Sequence, residues 1–288
     1  MMNKHLSFFT SLLLAGALHA QDGKTYSYST GRAGAAKQSA EEVEDIGEIS
    51  ESGGTSKWRF NVNASGQYTS NAFLSGNYGS NDFVFLPAFT VGYKTALNEH
   101  FTLDFEAKLE SALFADHSDR SFSGYSFATT LDYLHKAGLP RVYARFQPYR
   151  YDGYDSGELA TQALGFTGGS DWGYGFNAGR SVVYLGASYS YVLADPSIDS
   201  LAQFRAVVGV AHQLRSNLTG QVYYAYTYGD YTDFGRHDSR NAVSGSLIYQ
   251  FSQRVFGSLT TSWIGNDSSQ ENASYKNFAT GLGLTLQY

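Results

Sequence analysis

Between Phe101 and Leu113 the sequence alternates almost residue by residue. Phe101, Leu103, Phe105, Ala107 and Leu109 occupy the odd positions, and Thr102, Asp104, Glu106, Lys108 and Glu110 the even ones. A helix turns 3.6 residues at a time and would scatter those four charges around its circumference, whereas a strand places all of them on one face. A strand with one apolar and one charged face fits at a boundary between two solvents. The segment is also long enough to cross a bilayer, since a tilted membrane strand takes about 9–11 residues. One face would then meet lipid and the other water.

The same period recurs from Trp58 to the C-terminus. Trp58, Phe60, Val62 and Ala64 alternate with Arg59, Asn61, Asn63 and Ser65; Phe83, Phe85, Phe89, Val91 and Tyr93 form the next apolar row. Val142, Ala144 and Phe146 oppose Arg141, Tyr143, Arg145 and Gln147. Phe204, Ala206, Val208 and Val210 oppose Arg205, and Leu282, Leu284, Leu286 and Tyr288 close the chain. Composition agrees. Charged residues are 16% of the chain, against roughly 25% in soluble domains, and aromatics are also 16%. Mean hydropathy is nevertheless −0.30. The chain has no long apolar run beyond its N-terminus, so membrane helices are excluded. The absence of Cys removes thiolate metal sites, disulfide frameworks and thiol nucleophiles together.

Three regions follow. Residues 1–20 read as a signal peptide: Lys4 and His5 precede an apolar stretch from Leu6 to Leu18, and cleavage is placed after Ala20 or after Ala15-Gly16-Ala17. Residues 21–57 read as a flexible acidic periplasmic segment, with Glu41, Glu42, Glu44, Asp45, Glu48 and Glu51 clustered in its second half. A plug folded into the barrel is the alternative for this segment. Residues 58–288 carry the strands.

Tight connections alternate with longer ones rich in Asp, Asn, Gly and Ser. The tight ones share a spacing, seen in Leu97-Asn-Glu-His-Phe101, Leu214-Arg-Ser-Asn-Leu218 and Phe251-Ser-Gln-Arg-Val255, that keeps outward residues outward across a hairpin. The long ones are placed at 70–82, 114–121, 150–158, 193–200, 229–240 and 265–277. The expected fold is therefore all-β, an antiparallel transmembrane β-barrel of about twelve strands (ten to fourteen), with short periplasmic turns and longer extracellular loops. The Gly-rich run Gly168–Gly175 blurs the sixth and seventh strands.

The chain resembles the bacterial outer-membrane β-barrel proteins and, more loosely, the β-barrel porin families. Its last residues, Gly281-Leu-Gly-Leu-Thr-Leu-Gln-Tyr288, are similar to the C-terminal signal that the barrel assembly machinery reads. In that pattern Gly283 takes the small-residue place, and Leu286 and Tyr288 the two hydrophobic or aromatic ones; Tyr stands where Phe is commoner. The resemblance implies residence in the Gram-negative outer membrane, with lipid and lipopolysaccharide as surroundings and the assembly machinery as a partner during biogenesis. It leaves the oligomeric state open.

Little points to catalysis. The His candidates in outer connections are His117 with Ser118 and Asp119, and His237 with Asp238 and Ser239. Side chains adjacent in sequence rarely form a triad, which geometry defines. No enzymatic activity is expected, an outer-membrane esterase being a remote alternative. Loop acids such as Asp152 and Asp155, or Asp230, Asp233 and Asp238, lack the Gly and terminal Glu of a calcium loop, so no metal or cofactor is expected. The net charge of −6 disfavours nucleic acid.

Charge placement carries the functional expectation. The six long connections hold 13 acids and 5 bases, while the remaining walls and turns are net basic. Parity places Arg59, Asp104, Glu106, Lys108, Glu110, Arg141, Arg145, Arg180 and Arg205 along the pore, with acids on one side and bases on the other, a transverse field that would orient solutes. The Tyr residues near 143–154 and 223–231 are assigned to the membrane–water boundary. The expected function is a narrow porin for passive diffusion of small hydrophilic solutes. A lumen closed by internal salt bridges, in a structural or adhesin-like barrel acting through its extracellular loops, is the alternative.

Overall fold

The computed structural model describes residues 58–288 apart from 73, 75–79, 134–139, 154–160, 177–179, 196, 233, 234, 271 and 272. The signal peptide and the acidic segment predicted within 1–57 lie outside the described residues. Twelve strands follow in sequence order: β1 (Trp58–Thr69), β2 (Asp82–Ala96), β3 (Phe101–Phe114), β4 (Phe122–Tyr133), β5 (Arg141–Gly153) and β6 (Thr161–Phe176) form the first half. The second half holds β7 (Ser181–Asp195), β8 (Leu201–Arg215), β9 (Leu218–Tyr231), β10 (Arg236–Gln250), β11 (Val255–Ser268) and β12 (Tyr275–Gln287). Every strand pairs antiparallel with its neighbours in sequence, and β1 pairs with β12 to close the barrel. That seam runs from Asn61↔Gln287 to Thr69↔Ala279, and Phe60 and Tyr288 exchange backbone bonds of 3.0 and 2.9 Å at its end. Closure leaves no open edge, which a sheet in hydrocarbon cannot tolerate.

The alternation in the sequence becomes an inside-out partition. Each strand exposes large apolar side chains on its outer face: Phe85 at 42%, Leu109 at 58% and Leu282 at 67% exposure are examples. The residues between them point inward and are polar as often as apolar. Gln67, Thr90, Lys108, Asp132, Arg205 and Asn277 are all buried inside. Both chain ends of the described barrel lie at one rim, here termed the terminal rim; the opposite rim is the distal one.

The connections depart from the sequence reading. Chain 229–240 is not a long loop: β9 continues to Tyr231 and β10 starts at Arg236, so the connection is 232–235. Likewise β5 runs to Gly153, β7 to Asp195 and β11 to Ser268. Ladder bonds continue as far as two strands stay within pairing distance, whatever the polarity of their ends. The Gly-rich run is an uninterrupted part of β6, 16 residues long, and fully paired with β7 through Phe176↔Ser181.

The described residues of the β1–β2 connection pack against β11 and β12. Asn71 Nδ2 donates to the Lys276 carbonyl at 3.2 Å, and Ala72 and Leu74 are 0% and 2% exposed. Leu74 packs on Ile264 and Tyr275 and has φ +46°. A left-handed backbone costs an L residue about 1–2 kcal/mol, while burying a Leu side chain contributes about 1.5–3 kcal/mol. Burial therefore wins.

Candidate functional site

The lumen is lined from the strands upward. At the terminal rim Arg59 of β1 reaches across β2 to Asp104 of β3 in a two-pronged bond, Nη1–Oδ2 2.8 Å and Nη2–Oδ1 2.8 Å. The residue it passes over is Gly92, its register partner on β2; a Cβ there would stand 2.6 Å from Arg59 Nη2. A side chain there would have to push the guanidinium aside. Arg59 Nη2 is also 3.9 Å from Glu106, whose other oxygen is 3.5 Å from Arg145 Nη2 on β5. Glu106 thus stands between two guanidinium groups.

A second chain of charges runs beside it. Asp132 of β4 lies 3.6 Å from Lys94 Nζ and 3.4 Å from Arg141 Nη1, and Arg141 Nε lies 3.3 Å from Asp171 of β6. Arg141 also covers the Tyr143 ring at 5.0 Å. Higher in the barrel Lys108 Nζ meets Glu110 at 2.9 Å, and Tyr151 OH donates to the same carboxylate. Near the distal rim Arg236 grips Asp238 through Nε at 2.8 Å and through Nη2, stacks on Tyr231 at 4.4 Å, and shares Asp238 with Asn266 at 3.2 Å.

Of the residues predicted to line the pore, Arg59, Asp104, Glu106, Lys108, Glu110, Arg141, Arg145 and Arg205 face inward on their strands. Arg180 does not belong to this set: it sits in the turn before β7 and is exposed. Sequence reasoning missed Lys94, Asp132, Asp171, Arg236, Asp238 and Arg240, all inward. Parity with flanking apolar residues would have found Asp132, which shares its face with Ser126 and Ala128. The separation of acids from bases also needs correction, because on β1–β6 they interleave and bond one another. Tyr143, Tyr149, Tyr151 and Tyr231 are buried in the lumen, whereas Tyr224 and Tyr228 are on the outer face as expected.

The lumen tightens along its length. Near the terminal rim side-chain exposure is 21% for Arg59, 16% for Asp104 and 14% for Arg141, with the Arg141 partners Asp132 and Asp171 at 3% and 2%, and it is 5% at Lys108 and 1% at Arg236. In the distal third, Val84, Phe114, Phe122, Tyr151 and Val192 belong to one buried cluster spanning β2 to β7.

The two His groups find carboxylate partners on other strands. His117 Nδ1 is 2.9 Å from Asp82 of β2. His237 lies on the outer face, stacked on Tyr228 and 3.2 Å from Asp230, while Asp238 turns inward to Arg236. Alternation along β10 separates His237 from Asp238 by construction. Among the described residues no three His or carboxylate groups gather as a metal site. Of the C-terminal residues, Leu286 faces outward on β12, and Tyr288, the residue after it, is exposed. Gly283 faces inward, where a Cβ would crowd Ser258 Oγ at 2.7 Å, and Arg254 covers the Tyr288 ring at 4.8 Å.

Comparison with known proteins agrees with this architecture. No curated protein matches the sequence. An outer-membrane channel from Pseudomonas putida F1 superposes with TM-score 0.60 at 10% identity, covering 84% of this chain and 100% of that one. The translocator domain of the autotransporter NalP from Neisseria meningitidis superposes with TM-score 0.53 at 14% identity, covering 92% and 100%. At such identities the likeness is one of fold. Residues 194–288, which contain β8–β12, match the family described as Putative beta-barrel porin 2. The chain is thus a closed twelve-strand antiparallel barrel with the fold of outer-membrane barrels, and its last five strands are similar to the family described as Putative beta-barrel porin 2.

Proposed function

We propose that the barrel is a narrow porin through which small hydrophilic solutes diffuse passively, its terminal rim facing the periplasm. The graded lumen carries this reading: polar and ionic side chains line it from rim to rim, water-accessible at the terminal end and tightest in the distal third. Twelve strands enclose a space between the eight-stranded barrels that side chains fill and the 16–18-stranded porins that hold an aqueous channel, so conduction is small and charge-sensitive. Planar-bilayer recording of the refolded mature chain tests it. Discrete low-amplitude steps are expected; a silent bilayer, with the strand signature intact by circular dichroism, would sink the pore. The second reading is a sealed barrel working through its outer connections, favoured by the burial of the distal cluster, and it predicts that silence.

The C-terminal strand also suggests how the chain is assembled. We propose Gly283, Leu286 and Tyr288 as the residues handed to the barrel assembly machinery, the exposed ring of Tyr288 being the main handle. Tyr288→Ser is expected to cut the assembled fraction in cells several-fold while folding into detergent at the parent yield. An equal loss in both settings would assign Tyr288 to stability instead.

A further inference from the structure

Three successive hairpin turns of the terminal rim each carry one exposed arginine: Arg180 before β7, Arg215 at the end of β8 and Arg254 before β11. The described residues of those turns include no carboxylate. Among the described residues, no ion pair takes in any of the three arginines, and Arg254 instead covers the Tyr288 ring at 4.8 Å. The inward charges near the same rim are matched, Arg59 with Asp104 and Arg141 with Asp171, so they do not neutralise the arc. Four strands separate the Arg254 turn from the Arg180 turn, which makes the arc about 20 Å long at a strand spacing of about 4.7–4.9 Å.

The barrel also begins at this rim. Tyr288, beneath Arg254, exchanges backbone bonds with Phe60, two residues past Trp58, so β1 starts beside the first of the three arginines. Upstream in the sequence, residues 41–51 hold six acids, Glu41, Glu42, Glu44, Asp45, Glu48 and Glu51, and no base. Glu51 precedes Trp58 by seven residues, a reach of up to about 25 Å, and Glu41 precedes Glu51 by ten, up to about 35 Å more. The run is long enough to lie along the arc. One exposed ion pair contributes little by itself. A tether, however, holds the acids at an effective concentration on the order of millimolar, so several weak pairs act together. We infer that the arginine arc is the docking surface for the acidic run of the same chain, with Glu51 toward Arg254 and Glu41 toward Arg180. Docking needs no conduction and goes beyond the porin reading.

The chain has no Cys, so spin labels can be placed through Ser50→Cys and Ser216→Cys alone. Pulsed electron resonance of the refolded full chain, in nanodiscs of zwitterionic lipid at low ionic strength, then reads the separation of run and arc. One narrow, short-distance population is expected. It is lost with Arg180→Gln, Arg215→Gln and Arg254→Gln together, and equally with Glu44→Gln, Asp45→Asn and Glu48→Gln, which leave the barrel untouched. It is also lost in about 1 M salt, where charges more than about 3 Å apart are screened. Exchanging the signs, with Glu at the three rim positions and Lys at Glu44, Asp45 and Glu48, restores it. A broad distribution in the parent chain overturns the docking, and so does a narrow one that survives both sets of neutral substitutions. A narrow population that vanishes when phosphatidylglycerol replaces the zwitterionic lipid overturns it too, and assigns the arginines to lipid phosphates. Conductance of the same chain judges the porin reading separately.

Discussion

Replacing Glu110 with Ala is expected to lower the unfolding free energy of the barrel by about 3–5 kcal/mol, the usual cost of breaking a buried ion pair by removing one partner. Lys108 and Glu110 have 5% and 7% side-chain exposure. The substitution takes a carboxylate away from a buried ammonium and from the Tyr151 hydroxyl together. Exchanging both members, as in Lys108→Met with Glu110→Leu, recovers most of the loss, because the desolvation cost of both charges goes with them. Urea unfolding of the vesicle-folded chain, arranged as a double-mutant cycle, reads the result. A loss under about 1 kcal/mol for Glu110→Ala would place the pair in water, since that is the range of exposed ion pairs.

Phe114→Ala combined with Phe122→Ala is expected to raise single-channel conductance several-fold. Both rings lie in the buried distal cluster, at 4% and 2% exposure, where the lumen is tightest. The same change costs stability, about 3–5 kcal/mol for each ring if the space stays empty. It costs less if water enters, and water is what conduction requires. Wild-type conductance together with the full stability loss would mean that the rings pack the wall without obstructing the path.

Strand parity was legible because one face of each strand must satisfy lipid. Phe101–Leu113 could be read residue by residue, and the eight inward charges found on β1, β3, β5 and β8 follow from it. Strand ends were harder. The stretch Arg236-His-Asp-Ser-Arg240 looks like a loop because, beyond the hydrocarbon layer, the outer face turns polar at His237 and Ser239 while the buried inner face stays polar at Arg236, Asp238 and Arg240. Polarity then stops alternating while the ladder continues. Asp171 was hidden for another reason: it stands among glycines, which have no side chain to declare a face. Tyr149 and Tyr151 were misplaced because the ring chemistry suits the membrane boundary and the lumen equally. Their shared parity with Arg141 and Arg145 was the better guide.

The glycine beneath Arg59 has counterparts around the barrel: Tyr143 faces Gly169, Tyr151 faces Gly124 and Tyr184 faces Gly209 across neighbouring strands. Alternation of apolar and polar residues can reject a one-residue slip between strands, because every side chain would change face. It is blind to a slip of two. Such an error would set Tyr143 against Thr167 or Asp171, and Tyr184 against Val207 or Ala211, where a ring has no flat bed to lie on. These large-on-small pairs therefore act as alignment pins, recording in four places the one piece of information that a period-two pattern cannot hold.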